Sequence, residues 1–452
     1  MATILPTPAA WPRILLPADG PADPLDLDAA IAAGAFAGLR RAARELGPTG
    51  TIATVAAAGL RGRGGAGFPA AKKWRAVAAG ADRARFVVVD AVDADPGVGA
   101  ARALLGRRPY AILEGAAIAA LAAGAKTIVV AVRAEDRDGI RALETAVAAA
   151  TEAGLLGDDV LGIGSSLAAE VRPVRGGLLL GEETVLLNVL SNRRAEAEQC
   201  PPYPSERGLD GHPTAVNSAA TLAAVPWILV NGADAFAAIG DPATPGTALV
   251  QLSGAVASPG IAEVPTGTPL ATIVELGGGV PAGRSLKAFL VGGPSGGLLP
   301  AALAATPYAF GPLRAVGAHV GSGSIVAVDA ASCVVDLARL LVRYCADEAC
   351  GKTVPCRIGT RRMAEIAARL AAGLARPSDR QLALDLAADI NASALCDHER
   401  QACTPLLSVL RHFGPEVDDH VRGTCPAGVC HPAAAPAAIS VATQARGETG
   451  DD

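Results

Sequence analysis

Hydrophobic and polar positions follow three different rhythms along this chain, and each rhythm predicts a different kind of unit. Over residues 31–240, short apolar runs take turns with longer stretches of helical spacing. Residues 29–45 have helical spacing, and 50–58 lead into a glycine-rich loop. Residues 85–90 (Arg-Phe-Val-Val-Val-Asp) form a short, continuous apolar run of the kind that makes a buried strand. A helix over 111–123 then precedes a strand over 127–132, and 137–153 reads as a further helix. This succession predicts an α/β domain with a largely parallel sheet, whose ligands sit beyond the carboxyl ends of the strands.

The rhythm changes at about residue 241. Strand-like runs at 248–252 and 287–291 are separated by turns such as Ser258-Pro259-Gly260 and Gly292-Gly293-Pro294, with one helix expected at 270–276. Residues 241–325 therefore read as a small β-rich module with a structural or docking role. From 326 to 422 the spacing is helical. Leu337, Leu340, Leu341 and Tyr344 share one face over 334–345, and Ile358, Met363, Ile366 and Leu370 do so over 357–372. Ser378 with Gln381 has the form of a capping box ahead of a helix at 382–390. Thr404-Pro405 opens another helix through residue 413. Short amphipathic segments with short links predict a helical bundle. Residues 1–30, rich in proline, alanine and aspartate, read as an extended lead-in, and 423–452 as a cysteine-containing tail whose end is expected to be disordered.

Composition sharpens this picture in a few places. Of the 452 residues 51% are apolar but only 3% aromatic, so alanine-rich helices should pack closely. A net charge of −5 weighs against a nucleic-acid partner. The first 24 residues are proline-rich with Arg13 in the middle, which is not the form of a secretory signal. The apolar stretch 116–132 contains Lys126 and reads as a helix followed by a strand, not as a membrane span. Of nine cysteines, eight lie from Cys333 onward. That crowding favours metal or cluster ligation in a reducing compartment over a disulfide framework. The expected location is the cytoplasm, free or on a membrane-attached complex.

Two stretches carry candidate chemistry. The first is Gly59-Leu60-Arg61-Gly62-Arg63-Gly64-Gly65-Ala66-Gly67-Phe68-Pro69. Such a loop exposes backbone N–H groups, and the missing Cβ atoms let a phosphate or a flat ring approach the main chain. Taken alone, it could equally be an ordinary turn. The second is Cys350-Gly-Lys-Thr353-Val-Pro355-Cys356, with Cys396 further on. Thiolates on a loop that curls around a cluster suit iron–sulfur chemistry, while the plain alternative is small buried hydrophobes. In the tail, Cys425-Pro-Ala-Gly-Val-Cys430-His431 could hold zinc or a second cluster, with Cys403, His398 or His420 as partners.

In order along the chain, these motifs resemble the NADH-oxidising flavoprotein subunit of respiratory complex I and the flavin subunits of NAD-linked hydrogenases and formate dehydrogenases. The likeness covers roughly residues 45–422. It includes the glycine loop, Pro96-Gly97, Gly181-Glu182-Glu183-Thr184, Pro201-Pro202-Tyr203-Pro204, Asn217, Gly292-Gly293-Pro294-Ser295-Gly296-Gly297, Cys350-Gly351-Lys352 and Pro355-Cys356-Arg357. The resemblance implies an FMN-binding α/β domain, a small β-grasp-like module and a helical bundle carrying one four-iron cluster. Gly62, Arg63, Gly64, Gly65 and Lys73 would hold FMN, joined by Asp90, Asp93, Gly181, Glu182, Asn217 and Ser218. Glu183 would be the catalytic carboxylate beside the flavin and the nicotinamide, and Phe68, Asp95 and Tyr203 would border NAD(H).

The chain also departs from the family pattern. Asp90 replaces an asparagine, Val92 an aspartate, and Asp93 and Asp95 are shorter than the family's glutamates. Ala76 and Leu178 stand where aromatic residues are usual, and Cys200 where a basic residue is. Thr353 takes the middle place of a Cys-x-x-Cys-x-x-Cys motif, leaving Cys350, Cys356 and Cys396. Three outcomes stay open: a three-iron cluster, a four-iron cluster recruiting Cys345, Cys403 or His398, or no cluster. In relatives a segment like 425–430 leads into a ferredoxin-like domain; here the sequence ends at Asp452, so that job is expected of a separate subunit. The leading expectation is an FMN- and iron–sulfur-dependent subunit that oxidises NAD(P)H and passes single electrons to a ferredoxin-like partner. The alternative is a flavin or scaffold subunit that has lost nicotinamide binding and deals only with protein partners.

Overall fold

The computed structural model describes residues 3–16, 21–80, 82 and 84–430. Four strands, β1 (Phe86–Ala91), β2 (Thr127–Arg133), β3 (Ala168–Val174) and β4 (Thr214–Ser218), form one parallel sheet in the order β3-β2-β1-β4. β1 is central because its three valines are fully buried, as a strand covered on both faces requires. β3 is absent from the expected elements. It lies at an edge, contains Pro173 and alternates exposed with half-buried residues, so no apolar run marks it.

Helices cover this sheet: α1 (Gly47–Ala57), α2 (Ala70–Ala79), α3 (Ala100–Arg107), α4 (Pro109–Ala123), α5 (Arg137–Glu152), α6 (Glu183–Leu190) and α7 (Ala219–Asn231). The alanines do what composition predicts. α4 approaches α7 so closely that a Cβ on Gly115 would sit 2.0 Å from the Leu222 carbonyl oxygen. The single helix expected over 29–45 is instead broken. Leu27–Ala32 ends ahead of Gly34 and Phe36, both with positive φ, and the chain resumes as Ala37–Arg41. The buried Glu114 carboxylate holds this reversal by accepting the Phe36 and Leu39 N–H groups at 2.8 and 3.0 Å. Residues expected merely to lead into the glycine loop form α1.

The expected extended lead-in is helical from Leu27 on, and its described residues 3–16 are tied down. The N–H groups of Ile14, Leu15 and Leu16 donate to the Glu263 carboxylate at 2.7, 2.9 and 2.7 Å. Glu263 belongs to the second sheet: β5 (Thr247–Gly254), β6 (Gly260–Pro265), β7 (Leu286–Val291), β8 (Gly297–Pro300) and β9 (Ser324–Asp329), in the order β8-β7-β9-β5-β6. The helix expected at 270–276 is α8 (Leu270–Leu276). The expected boundary at 325/326 falls inside β9, whose pairing with β7 continues to Asp329.

The last region is helical: α9 (Val334–Glu348), α10 (Thr360–Ala371), α11 (Asp379–Ala392), α12 (Asp397–Gln401), α13 (Thr404–His412) and α14 (Gly414–Val421). Val342, Met363, Ile366, Leu370 and Leu406 share its core. The expected capping box does not form: Ser378 makes no cap bond, and Gln381 reaches Asp385 instead. Asp379 organises that corner through Arg369, at 2.6 Å, and the Arg376 N–H. Among the described residues no helix is long and apolar enough to cross a membrane.

Candidate functional site

The winding of the parallel sheet reverses between β1 and β4. Open α/β sheets place their ligand crevice at such a switch point, outside the strand carboxyl ends. A cavity of about 1180 Å³ lies there. Typical small-molecule sites occupy about 300–1,000 Å³, so it has room for more than one group.

The glycine loop forms one wall. α1 ends before Gly59, and the loop closes on itself through Gly62 N–H to Phe68 O at 2.9 Å. Buried Leu60 anchors it. Gly67 has φ +65, and a Cβ there would meet the Phe310 ring at 2.6 Å. Gly64 passes over Ser218, the N-cap of α7, so the loop faces a helix N-terminus. Exposed N–H groups beside a helix start favour an anion.

Gly62, Gly64, Gly65, Phe68, Lys73, Asp90, Asp95, Gly181, Glu182, Glu183, Tyr203, Asn217 and Ser218 all line this cavity. The Lys73 ammonium donates to Glu183 Oε2 at 2.5 Å and to Val216 O at 2.9 Å. Asn217 Oδ1 accepts from the buried Trp74 indole at 2.9 Å, which leaves its amide nitrogen for a ligand. Glu182 caps α6 through the Thr184 and Val185 N–H groups, both at 2.9 Å, and burial pushes its carboxyl above the usual range. Burial also pushes Asp90 up to about 6, against the pull of the Val92 N–H. Asp95 is raised by burial as well, and a Cβ on Gly293 would lie 2.1 Å from its carboxylate, so the second sheet's loop presses on it. Phe68 and Tyr203 stand 52% and 56% exposed, with their faces available for stacking. Ala76 and Leu178 also line the cavity and offer no ring.

Two of the expected residues point elsewhere. The Asp93 carboxylate accepts the Ala101 and Arg102 N–H groups, each at 2.9 Å, and so caps α3. The Arg63 guanidinium turns under the loop, where it donates to Pro245 O and lies near Tyr308, while the Arg63 backbone N–H donates to the Thr221 hydroxyl at 2.9 Å. Burial lowers it to about 10. Neither side chain faces the cavity, because each is spent on holding the loop or helix that carries it.

The opposite wall comes from the helical region, through Asp397, His398 and Gln401 on α12. Cys396 is the N-cap of this helix and packs with Val185 and Leu190 of the first domain. Cys356 lies in a π-type turn (Pro355–Gly359), and Cys350 follows α9. The Cys350 loop is pinned to the first domain: Lys352 Nζ donates to Ala197 O at 2.7 Å and Glu198 Oε2 at 2.8 Å. Burial pushes the Cys356 and Cys396 thiols up to about 12 and 11, with Glu399 and other thiols nearby. Of the suggested further ligands, Cys345 Sγ faces Pro294 O at 3.6 Å, and His398 Nε2 lies 2.9 Å from Cys345 O. In the place of the missing cysteine, the Thr353 hydroxyl donates to Glu399 at 2.8 Å.

A second group of thiols assembles from both ends of the helical region. One ligand atom each from Cys333, His420, Cys425 and Cys430 lies within 4.8 Å of the others. Cys333 Sγ is 3.3 Å from His420 Nε2 and 3.5 Å from Cys430 Sγ. His420 Nδ1 is held by Glu416 O at 2.7 Å, which leaves Nε2 as the ligand atom. Burial opposes ionisation of Cys425, but the Cys430, Val429 and Ala427 N–H groups bring it down to about 6. His431, expected as a member, lies outside the described residues. Cys333 was not expected: it sits at the start of a helix far from the tail motif, and no local spacing marks it.

Matches to known proteins follow the same three regions. Residues 55–227 match the family described as the Nuo51 FMN-binding domain, and 249–299 the SLBB domain. Residues 336–420 match the NADH-ubiquinone oxidoreductase-F iron-sulfur binding region. An NADH-quinone oxidoreductase subunit of Rhizobium meliloti, designated F 2, is 35% identical over 398 residues, 87% of this chain and 94% of that protein. The chain belongs to this family of flavoprotein subunits. The NADP-reducing hydrogenase subunit HndC of Solidesulfovibrio fructosivorans is 36% identical over 410 residues, 90% of this chain and 83% of that protein. Among solved structures, an NAD+-reducing [NiFe]-hydrogenase in the H2-reduced state superposes with a TM-score of 0.77 at 33% identity. That match covers 85% of this chain, which spans 64% of the hydrogenase chain. The family thus gives this chain an FMN-binding domain and a four-iron-cluster-binding region, as the motifs had implied.

Proposed function

We propose that this chain is the electron-entry subunit of a larger oxidoreductase, taking reducing equivalents from NAD(P)H and passing them singly to a ferredoxin-like or other redox subunit. The observation that carries this reading is the shared cavity: its walls include the glycine loop, Lys73 and Glu183 on one side and α12, which starts at Cys396, on the other. FMN, when bound, accepts two electrons and releases them one at a time.

The residues divide the work. The Gly64 and Gly65 backbone and the Ser218-capped start of α7 take the phosphate. Lys73 would sit beside the ring, where its charge would favour the reduced flavin, and the Asn217 amide nitrogen would donate to the same ligand. Glu183 is the catalytic carboxylate, and Phe68, Tyr203 and Asp95 border the nicotinamide nucleotide. Cys350, Cys356 and Cys396 hold the cluster. Cys333, His420, Cys425 and Cys430 fit one tetrahedral zinc, since Zn–S bonds of about 2.3 Å leave sulfurs roughly 3.8 Å apart. Residues 31–240 act as the flavin domain, 241 to the end of β9 at Asp329 as a β-grasp-like module, and 330–422 as a helical bundle. Assembly on the cytoplasmic face of a complex, attached through partners, agrees with this set of cofactors.

Protein purified without oxygen and analysed for flavin and iron tests the reading. About one FMN per chain together with iron supports it. Flavin that only a protein partner reduces would favour the alternative without nicotinamide binding, and a colourless protein would sink both.

A further inference from the structure

We propose that Glu399 closes the iron–sulfur cluster in place of a fourth cysteine, with Thr353 as the residue that orients its carboxylate. The inference rests on the reading that Cys350, Cys356 and Cys396 hold a cluster. Thr353 stands where the family motif has its middle cysteine, and its hydroxyl is already committed: it donates to Glu399 Oε1 at 2.8 Å. Glu399 is 1% exposed. Its other oxygen accepts the Leu395 N–H at 2.8 Å, its own N–H is directed at the Cys396 thiol, and its carboxylate lies beside Cys356. Among the described residues the carboxylate makes no ion pair.

A buried carboxylate without a positive partner is costly. In a cluster whose other three irons take Cys350, Cys356 and Cys396, the fourth iron would supply that partner. Carboxylates are established iron ligands, and a second-residue hydrogen bond is what fixes such a ligand's orientation. Cys345 and His398 are engaged with backbone carbonyls; Cys403, a buried member of the helical core whose thiol also lies near Cys356, is the rival ligand. The cluster would then have one iron bound by oxygen and three by sulfur. That iron should be the first to leave: loss of one electron to ferricyanide releases one ferrous ion and leaves a three-iron cluster.

The test compares the anaerobically isolated holoprotein with Glu399→Gln, which keeps the shape and the Thr353 contact, and with Glu399→Gln combined with Thr353→Cys. Iron content and EPR are read alongside flavin content. The wild type should hold about four irons per chain. Glu399→Gln should lose one of the four and show an oxidised three-iron signal without added ferricyanide. The double variant should return to four irons and resist ferricyanide. Glu399→Gln with the wild-type iron count and spectrum would overturn the assignment. So would a wild type that already holds three irons, or loss of one iron on Cys403→Ala but not on Glu399→Gln. A wild type without iron would overturn the cluster reading itself, and this inference with it.

Discussion

Lys73 and Glu183 are 110 positions apart in sequence and meet at 2.5 Å on the cavity wall. Replacing Lys73 with methionine removes the cation and leaves Glu183 facing the ligand unpaired. FMN should then bind at least tenfold more weakly, about 1.4 kcal/mol, as read from fluorescence of released flavin. Asp90 allows a prediction with a sign. Its folded value of about 6 lies above the ordinary 3.8, so ionising it opposes folding. That penalty is absent below about pH 4 and fully present above about pH 6. Asp90→Asn should therefore stabilise the protein by about 1–3 kcal/mol at pH 7.5 and by well under about 1 kcal/mol at pH 4, in paired thermal melts. Of the residues that line the cavity, only the glycine loop was a local signal; Lys73, Asp90, Glu182, Glu183 and Asn217 were implied by the family resemblance. Where the Arg63 and Asp93 side chains point was not legible: Arg63 turns to Pro245, and Asp93 caps a helix eight residues on, and both depend on tertiary placement. Glu399 escaped notice for the same reason, since only folding brings it to Thr353.

Among elements, the glycine loop is the most constrained. Gly67→Ala would place a Cβ 2.6 Å from the Phe310 ring at φ +65, so the loop must shift. The expected result is a loss of about 1–3 kcal/mol of stability together with poorer FMN retention, measured by melting and by flavin content after gel filtration. The thiol–histidine group acts at this scale too, since it ties the start of α9 to the end of α14. Cys425→Ser should remove about one zinc per chain and lower the melting temperature while leaving iron unchanged, as elemental analysis would record. Strands such as β1 and helices such as α8 could be read from apolar runs and turn residues. β3 could not, because an edge strand with polar faces has no distinctive rhythm. The break at Gly34–Phe36 was hidden as well: helical spacing continues across it, and Glu114 imposes the reversal from another element.

For the molecule as a whole, the cavity is built from parts that no single region contains. The parallel sheet supplies the floor, the Gly292–Gly293 turn of the second sheet presses on Asp95, and α12 closes the side next to Cys396. Neither motif order nor the family resemblance, as read from the sequence, pointed to this convergence: residues 241–325 were expected to have only a structural or docking role. The consequence of the convergence is that a nicotinamide donor, a flavin and a cluster can be within reach of one another in one chain. The departures at Ala76, Leu178 and Asp90 all line this cavity. The most direct test is therefore a single anaerobic addition of NADH to the purified holoprotein, with flavin absorbance and cluster EPR followed together. The account predicts that the flavin bleaches and a reduced-cluster signal then grows. A flavin that dithionite reduces but NADH leaves oxidised would contradict it.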